Sequence, residues 1–261
     1  MALMICGHPR SGTTLLQQLC DGHPELGVTN ELGNFTHLNR FYPAYAHHLL
    51  DRWQRVQGGW AFDVAYAGEK ESLRANNLRF VLRHLGHLLQ RGLGRVTVPR
   101  LEAAYRRSFP QARILGDKWP HYLFILDRFI DDPGLIHLVI YRDGRDVTSS
   151  FLKQVRTTWR DAPWVGKIDT AEKIAQRWVR GIDIMERYAD KVYIMRYETL
   201  MQQPREELNR LAAWLAVDPA GFDSAMIRPT SIGKYQTGLT EAELETVMAI
   251  AGPTLARLGY L

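Results

Sequence analysis

Short apolar segments recur along the chain and predict a parallel β-sheet. Leu135–Tyr141 is the clearest of them. It is continuous, rich in β-branched residues and free of strict polar alternation, as expected for a strand covered on both faces. The predicted strands are Leu3–Cys6, Arg113–Gly116, Leu135–Tyr141 and Val192–Arg196.

Segments with apolar residues at three- and four-residue spacing separate these strands and predict helices. They are Thr13–Cys20, Ser72–Gln90, His121–Phe129, Val147–Val155, Ala171–Tyr188 and Arg205–Leu215. Strands that alternate with helices indicate an α/β fold, in which helices flank a central parallel sheet. Ligands of such sheets bind beyond the carboxyl ends of the strands, so functional residues are expected directly after each strand.

Two stretches interrupt the alternation. Residues 34–100 are mostly helical in pattern and contain no obvious strand, which predicts a helical insertion within a single domain of residues 1–261. Residues 156–168 form a loop rich in aromatic and basic residues. Such a loop is either a lid over a site or a plain surface connection, and the sequence favours neither.

The composition is that of an ordinary globular domain. Of 261 residues, 46% are apolar and 23% are charged, which is enough to bury a sizeable core. The net charge of +5 suits an anionic ligand. The basic residues are dispersed among apolar ones without a dense Lys/Arg run, so we expect no nucleic-acid partner.

The cysteines and the first apolar segment bear on the compartment. Cys6 and Cys20 lack the spacing of metal ligands and are expected to be buried free thiols, as in a reducing compartment. The apolar stretch that ends at Cys6 is too short for a signal peptide or a membrane span. We therefore expect a cytoplasmic protein with no membrane span.

The first predicted strand runs into Gly7–Thr14, which opens a helix and has the pattern of a phosphate-binding loop. Glycines let the backbone fold back, so that successive N–H groups and the helix N-terminus converge on an anion. A Walker A loop needs a lysine after its second glycine, but Thr13 follows Gly12 here, and the cation lies within the loop as Arg10. The loop therefore favours a phosphate-bearing ligand over hydrolysis of ATP or GTP.

Pro9–Leu16 closely resembles the 5′-phosphosulfate loop of sulfotransferases that use 3′-phosphoadenosine 5′-phosphosulfate (PAPS). The similarity continues through Asp21–Glu25 to Glu31 and is greatest with tyrosylprotein and bacterial sulfotransferases. The resemblance implies a P-loop-like α/β fold and PAPS as the sulfuryl donor. It also implies that Arg10 contacts the phosphosulfate. The residues that would surround the 5′-phosphate are Ser11, Gly12, Thr13 and Thr14.

A second motif follows the strand Leu135–Tyr141. Arg142 ends this strand, and Ser150 lies on the next predicted helix. Arginine suits bidentate phosphate binding, and the pair matches the 3′-phosphate-binding residues of the family in identity and spacing. Ser149 is an alternative to Ser150. Arg145 and Asp146 are expected to make solvated or helix-capping contacts.

Further similarities lie near the C-terminus. Tyr197, at the end of the fourth predicted strand, resembles the tyrosine that lies against the nucleotide in the family. Ser231 and Lys234 belong to a segment that resembles the loop closing over the nucleotide. This match is weaker, because its spacing from Arg228 departs from the Arg-Lys-Gly form of the phenol and steroid enzymes.

Sulfuryl transfer needs a base, cations at the transferring group, and alignment of the two substrates. Lys118 matches a family lysine, but Pro120 occupies the position of the histidine base found in the phenol enzymes. Glu31 matches the base of the tyrosylprotein branch, so the resemblance implies Glu31 as base, with His121 as the alternative. Arg10 and Lys118 would hold the transferring group. No cluster has metal-ligand spacing, and no metal is expected.

The acceptor is not identified by the sequence beyond a small molecule or another hydroxyl compound. The helical insertion 34–100 and the loop 156–168 match no family motif, so an acceptor site is expected there. The aromatic residues that could line it, unless they belong to the core, are Phe35, Phe41, Tyr42, Tyr45, Trp53 and Trp60.

Two other functions fit parts of the pattern. A P-loop kinase-like nucleoside triphosphate enzyme would use the same strand–loop–helix unit, although it predicts a Walker lysine. A non-catalytic module that binds an adenosine bisphosphate would not need Glu31. Relatives of the family are often dimers, so the resemblance allows a homodimer, but no segment indicates an interface.

Overall fold

The protein is built on a five-stranded sheet in which every paired strand is parallel to its neighbour. The computed structural model describes residues 1–55, 73–228 and 231–261. The strands are β1 (Ala2–Gly7), β2 (Leu26–Asn30), β3 (Ile114–Lys118), β4 (Leu135–Tyr141) and β5 (Tyr193–Arg196). Their order across the sheet is β2-β3-β1-β4-β5. The predicted α/β class and the parallel arrangement of the four predicted strands are confirmed.

The helices fill the connections between the strands. The α-helices are α1 (Thr13–Asp21), α2 (Tyr42–Arg55), α3 (Leu73–Leu89), α4 (Val98–Ser108), α5 (Gly144–Arg156), α6 (Ala171–Arg187), α7 (Tyr197–Gln202), α8 (Pro204–Leu215), α9 (Tyr235–Gly238) and α10 (Glu241–Arg257). Short 3₁₀ helices span Asn34–His37, Pro120–Arg128, Val165–Lys167, Pro219–Gly221 and Ser224–Met226. None of the helices in the described ranges combines the length and apolar character needed to cross a membrane.

The sheet separates two hydrophobic cores, which explains why its strands show no polar alternation. In β1, Ala2, Met4 and Cys6 pack on one side, while Leu3 and Ile5 pack on the other. Both faces are covered by helices, so both sets of side chains are removed from water. The one core includes residues of α2, α3, α4, α6 and α10, and the other includes residues of α1 and α8.

Two local features differ from the sequence-based expectation. β2 was not predicted, because its five residues include Gly27 and the polar Thr29 and give only a weak apolar signal. The segment His121–Phe129, predicted as an α-helix, belongs to the 3₁₀ helix Pro120–Arg128, which is kinked at Ile125 (φ −131°, ψ 21°). The kink separates two short helical turns, and the segment packs against both β1 and α6.

The insertion 34–100 is helical in its described parts. It comprises the 3₁₀ helix Asn34–His37, α2, α3 and the start of α4, with one antiparallel bridge between Phe41 and Arg95. Its buried aromatic residues join the core on the side of the sheet that carries α4. The insertion therefore lies beside β2 and β3, close to the loop that follows β2.

Two buried histidines, His8 and His84, should make the stability of the fold sensitive to acid. Burial lowers the pKa of His8 and of His84 to about 3, against an ordinary value of 6.5. On acidification the unfolded chain therefore binds protons first, and stability present above pH 6.5 is lost as the pH falls. We expect urea denaturation to show a loss of about 2 kcal/mol per histidine between pH 7 and pH 5.

The variant His84→Gln should reduce this pH dependence by about one histidine's share. His47→Gln changes an exposed histidine on α2 and is the matched control, which should leave the dependence as it is. A stability that is flat from pH 7 to pH 5 would contradict the buried neutral state of both rings.

Candidate active site

The loop between β1 and α1 has the geometry of an anion site. A side chain at Gly7 would collide with the carbonyl oxygen of Ile140, and Gly12 has φ 97° and lies against the ring of Tyr197. Only glycine satisfies both constraints without strain. Gly12 is also the N-cap of α1 and provides no side-chain cap. The first-turn amides of Thr13 and Thr14 are therefore available to an anion.

Arg10 and Ser11 occupy opposite sides of this loop. Arg10 adopts φ 76°, a left-handed conformation that is uncommon outside glycine, and its Nε donates to Ser150 Oγ over 3.0 Å. The hydroxyl of Ser11 is buried beneath the loop in a small cavity and has no hydrogen-bond partner within the described part of the chain. The amide of Ser11 donates to the carbonyl of His8 over 3.1 Å. Arg10 thus faces the open side, whereas Ser11 supports the loop from within.

Arg142 brings the second motif to the same edge of the sheet. It follows β4, and its Nη1 donates to the carbonyl of Arg10 over 3.4 Å. Its guanidinium lies 4.7 Å from the ring centre of Tyr197 and forms an ion pair with Asp146 at 3.2 Å. Burial, together with the positive charge of Arg142, lowers the pKa of Arg10. The two guanidinium groups are thus close enough to repel each other, which favours a bound polyanion.

Ser150 and Ser149 are not equivalent in the structure. Ser150 accepts the hydrogen bond of Arg10, whereas Ser149 is buried against Gly238 of α9. Helix α5 therefore presents Ser150, rather than Ser149, to the loop after β1.

Asp146 anchors the C-terminal loop to the site. Its carboxylate is buried and accepts hydrogen bonds from the amides of Gly233 and Tyr235, each over 2.9 Å. The expectation of a solvated contact is wrong for Asp146, because its carboxylate is buried. Besides its ion pair with Arg142, it binds two amides that lie almost ninety positions away and carry no local signal. Arg142 donates to the carbonyl of Ser231, while Lys234 is exposed in the same loop.

Arg145 makes the helix-end contact that the sequence indicates. Asp143 is the N-cap of α5, and its carboxylate accepts from both the amide and the guanidinium of Arg145. The guanidinium also lies 4.4 Å from the ring centre of Tyr235. Arg145 therefore supports the C-terminal loop from the side and does not join Arg10 and Arg142.

Glu31 and Lys118 meet at the ends of β2 and β3. Lys118 is only 1% exposed, and its Nζ lies 2.8 Å from Glu31 Oε1 and 3.4 Å from Thr14 Oγ1. Glu31 is 40% exposed and adopts φ 59°, so it is the second predicted catalytic residue in a left-handed conformation. Such backbone strain is often found at functional sites. The pair places a carboxylate and an ammonium directly beside the start of α1.

A buried carboxylate that sequence reasoning missed holds the segment after β2. Asp117 accepts hydrogen bonds from Thr29 Oγ1 (2.7 Å) and Tyr122 Oη (2.6 Å). It also accepts from three consecutive amides, those of Leu32, Gly33 and Asn34. Burial raises the pKa of Asp117, and these donated hydrogen bonds oppose that rise. An acidic residue inside a buried strand is the signal that could have revealed it, since such a group requires partners.

His121 is held by a cation. Its Nδ1 lies 2.9 Å from Arg177 Nη2, and a guanidinium can only donate, so the ring nitrogen accepts. Burial, followed by the charge of Arg177, lowers the pKa of His121 to about 4. The ring is therefore neutral near pH 7, with its accepting nitrogen already occupied.

An open cleft of about 480 Å³ adjoins Glu31. Its lining residues are Pro9, Glu31, Arg52, Trp119, Pro120, His121, Phe151, Trp159, Trp164, Lys167, Ile168 and Arg177. Four of them come from the loop 156–168, so this segment forms a wall of the cleft next to the site. The volume suits a small organic molecule.

The aromatic residues proposed from the sequence do not line this cleft. Phe35 and Tyr45 are fully buried in the core. Phe41 is exposed beside Arg95, and Tyr42 donates to the carbonyl of Leu85. Trp60 and the side chain of Trp53 lie outside the described residues. The aromatic side chains of the cleft come instead from Trp119, Phe151, Trp159 and Trp164.

Neither the cysteines nor the other residue types that bind metals form a metal site in the described ranges. Cys6 and Cys20 are buried and unpaired, and burial raises the pKa of both thiols. Within the described ranges, no group of three or more histidine, cysteine, aspartate or glutamate residues is placed to hold a metal ion.

Sequence and structure comparisons show which known proteins this chain resembles. The sequence model of the Sulfotransferase family matches residues 2–220. The nodulation protein NoeE of Sinorhizobium fredii (strain NBRC 101917 / NGR234) is 25% identical over 308 aligned positions, which cover 98% of this chain. The chain spans only 66% of the length of NoeE.

Solved structures share the fold at low sequence identity. The sulfotransferase STF9 from Mycobacterium avium is 14% identical with a TM-score of 0.54, and the match covers 98% of this chain and 76% of that one. The sulfotransferase domain of the Synechococcus PCC 7002 olefin synthase is 23% identical with a TM-score of 0.52, and the match covers 94% and 82%. These similarities show a common fold.

Asp117→Ala tests the importance of the buried network. The substitution leaves three amides and the hydroxyl of Tyr122 without their acceptor, so we expect the free energy of unfolding to fall by about 3 kcal/mol or more. Urea denaturation measures the loss. The matched control is Asp131→Ala, which removes an exposed ion pair with Lys191 and should cost at most about 1 kcal/mol. Equal losses in the two variants would contradict this role of Asp117.

Proposed function

The chain belongs to the sulfotransferase family, and from this premise we propose that it transfers the sulfuryl group of PAPS to the hydroxyl of a small-molecule acceptor. The observation that carries the proposal is the meeting of two anion-binding clusters at one edge of the sheet. The loop Gly7–Thr14 and the pair Arg142–Ser150 are joined through Arg10, which contacts both. A ligand with phosphate groups at two positions fits this arrangement.

The residues around the two clusters suit the parts of the donor. The amides at the start of α1 and Arg10 would hold the 5′-phosphosulfate, and Arg142 with Ser150 would hold the 3′-phosphate. The Nε of Arg142 is buried without a partner among the described residues, so its guanidinium retains a donor for an anion. Tyr197, Ser231 and Lys234 are proposed as the nucleotide contacts, since Tyr197 and Ser231 adjoin Arg142.

Lys118 supports sulfuryl transfer rather than triphosphate hydrolysis. Position 13 of the loop carries threonine where a Walker loop carries lysine, and the ammonium that approaches α1 comes instead from β3. There it is paired with Glu31, so one strand end provides a cation and its neighbour provides a carboxylate. A base beside an electrostatic clamp is what transfer to a hydroxyl requires.

The proposed reaction is a single displacement. Glu31 takes the proton of the acceptor hydroxyl as its oxygen bonds to sulfur, and the bond between sulfur and the bridging phosphate oxygen breaks. Lys118 and Arg10 stabilise the charge on the leaving oxygen and on the sulfuryl oxygens. The products are the sulfate ester and adenosine 3′,5′-bisphosphate, with the proton on Glu31.

Glu31 is a better candidate for the base than His121. A neutral imidazole has one accepting nitrogen, and in His121 that nitrogen already accepts from Arg177. Glu31 is partly exposed at the cleft and, among the residues that the structure describes, forms an ion pair with Lys118 alone, which leaves carboxylate lone pairs for a hydroxyl proton. We therefore propose Glu31 as the general base and a supporting role for His121.

We also propose a cytoplasmic location. Two free thiols at Cys6 and Cys20 are consistent with a reducing compartment.

The two-anion site predicts selective nucleotide binding. Calorimetric titration should show that adenosine 3′,5′-bisphosphate binds more tightly than ADP or ATP. Arg142→Lys keeps the charge opposite the buried Asp146 but removes the bidentate donor, so we expect roughly tenfold or weaker binding of the bisphosphate. Arg156→Lys, at an exposed position on the same helix, is the matched control and should bind normally. Tighter binding of ATP would reject PAPS as donor and support the kinase-like alternative.

The role of Glu31 predicts a large loss of turnover in Glu31→Gln. Formation of adenosine 3′,5′-bisphosphate from PAPS, followed with a panel of phenols and alcohols, should fall roughly a hundredfold or more, as expected for loss of a general base. Glu172→Gln, on the exposed face of α6, is the control and should retain activity. Near-normal turnover in Glu31→Gln combined with loss in His121→Asn would instead assign the base to His121.

A further inference from the structure

The charges that line the cleft beside Glu31 are strongly unbalanced. Three cations, Arg52, Lys167 and Arg177, contribute to its walls. Glu31 is the one acidic lining residue in the part of the chain that the structure describes, and Lys118 already pairs with it. The cleft therefore has a positive potential, which favours an anionic occupant.

Arg177 is held in the cleft without a carboxylate contact in the described structure. Its Nη2 donates to His121 Nδ1 over 2.9 Å, and its guanidinium lies 4.0 Å from the ring centre of Phe124. Its Nε is buried and has no partner among residues 1–55, 73–228 and 231–261. Arginine remains charged even when partly buried, so these neutral contacts leave its charge uncompensated. The neighbours fix the position of the guanidinium and leave its charge for a ligand.

Arg52, on α2, is a second cation that lines the same cleft as Arg177 of α6. Its Nη2 donates to the carbonyl of Glu31, its guanidinium lies 5.8 Å from the ring centre of Trp119, and its Nε is also buried without a partner among the described residues. Because it contacts the backbone of Glu31, this cation lies next to the proposed base.

The remaining lining of the cleft is aromatic. Trp159 lies 5.2 Å from Phe151 and 5.2 Å from Trp164, measured between ring centres, and Trp119 faces the side of Arg52. Such a surface suits a flat apolar group, because ring faces and edges pack well against one another. A volume of about 480 Å³ limits the occupant to a small molecule.

We infer that the acceptor is a small aromatic hydroxyl compound that carries an anionic group, either a carboxylate or a phosphate. Its ring packs against the tryptophans of the loop 156–168, its anionic group binds Arg177 and Lys167, and its hydroxyl lies at Glu31. This inference rests on the proposed function, since it names the substrate class of the same site.

Binding of matched phenols tests the inference without any transfer. Calorimetry in the presence of adenosine 3′,5′-bisphosphate would compare (4-hydroxyphenyl)acetate with the neutral 4-hydroxyphenylacetamide and the cationic tyramine. We expect the anion to bind roughly tenfold or more tightly than the amide, as for a charge-assisted hydrogen bond. Tyramine should bind least. A further titration with (4-hydroxybenzyl)phosphonate distinguishes a preference for carboxylate from one for phosphate.

Charge-removing variants locate the preference. Arg177→Gln and Lys167→Gln should each reduce the difference between the anion and the amide. Arg180→Gln is the matched control, since it removes an exposed cation from the same helix without lining this cleft. It should leave the difference unchanged.

The outcomes separate this inference from the proposed function. Equal binding of anion and amide, or no binding of either anionic phenol while the bisphosphate binds, overturns the inference and leaves the sulfotransferase proposal in place. A preference for anions that Arg177→Gln and Lys167→Gln do not alter also overturns it. A preference that these variants abolish supports it. Failure of the bisphosphate to bind would overturn the proposed function and, with it, the inference that rests on that function.

Discussion

The proposed catalytic edge of the sheet depends on the hydrogen bonds that the buried carboxylate of Asp117 accepts. Asp117 lies inside β3, next to Lys118, and accepts hydrogen bonds from the amides of Leu32, Gly33 and Asn34, which follow Glu31 just after β2. An unpaired buried carboxylate is costly, so the chain after β2 is held where these amides can reach it. Glu31 is thereby fixed in a left-handed conformation beside Lys118, with its amide bonded to the carbonyl of that lysine. One buried acid thus sets the relative position of the proposed base and its cation.

The other site residues lie close together because the carboxyl ends of parallel strands are at the same edge of the sheet. β1 delivers the loop with Arg10, β3 delivers Lys118, and β4 delivers Arg142, and these three strands are neighbours. Arg10 is restrained by the hydroxyl of Ser150, and Arg177 by the ring of His121, both neutral groups. Arg142 is paired with the carboxylate of Asp146 and lies against Tyr197. The accumulated positive charge is unfavourable in the empty protein and is offset when anions bind. This charge supports the proposal that one edge binds both a doubly phosphorylated donor and an anionic acceptor.

Local sequence patterns predicted the features that depend on neighbours along the chain. The strands β1, β3, β4 and β5 were readable from apolar runs, and the loop Gly7–Thr14 was readable from glycine spacing next to a strand. β2 was missed because Gly27 and Thr29 dilute its signal, and its burial depends on pairing with β3. The kinked 3₁₀ helix after Trp119 was read as an α-helix, since its apolar spacing alone does not show that it packs against two elements.

Features that depend on residues distant in the sequence could not be predicted from local sequence patterns. Asp146 finds the amides of Gly233 and Tyr235, and Asp117 finds those after β2, through contacts that only the folded chain creates. The same holds for the cleft. The loop 156–168 is aromatic and basic in sequence, but its place beside Glu31 involves contacts with distant elements, such as that between Trp159 and Phe151 of α5, which the sequence does not show.

The most direct test of the account is to follow the fate of labelled sulfur. The purified protein would be incubated with PAPS carrying ³⁵S and a panel of anionic and neutral phenols, and both the labelled product and adenosine 3′,5′-bisphosphate would be quantified. The account predicts equimolar formation of a labelled sulfate ester and the bisphosphate, dependent on Glu31 and greatest with an anionic phenol. Absence of labelled ester with every acceptor, while the bisphosphate still binds, would contradict it and identify a nucleotide-binding module without transferase activity.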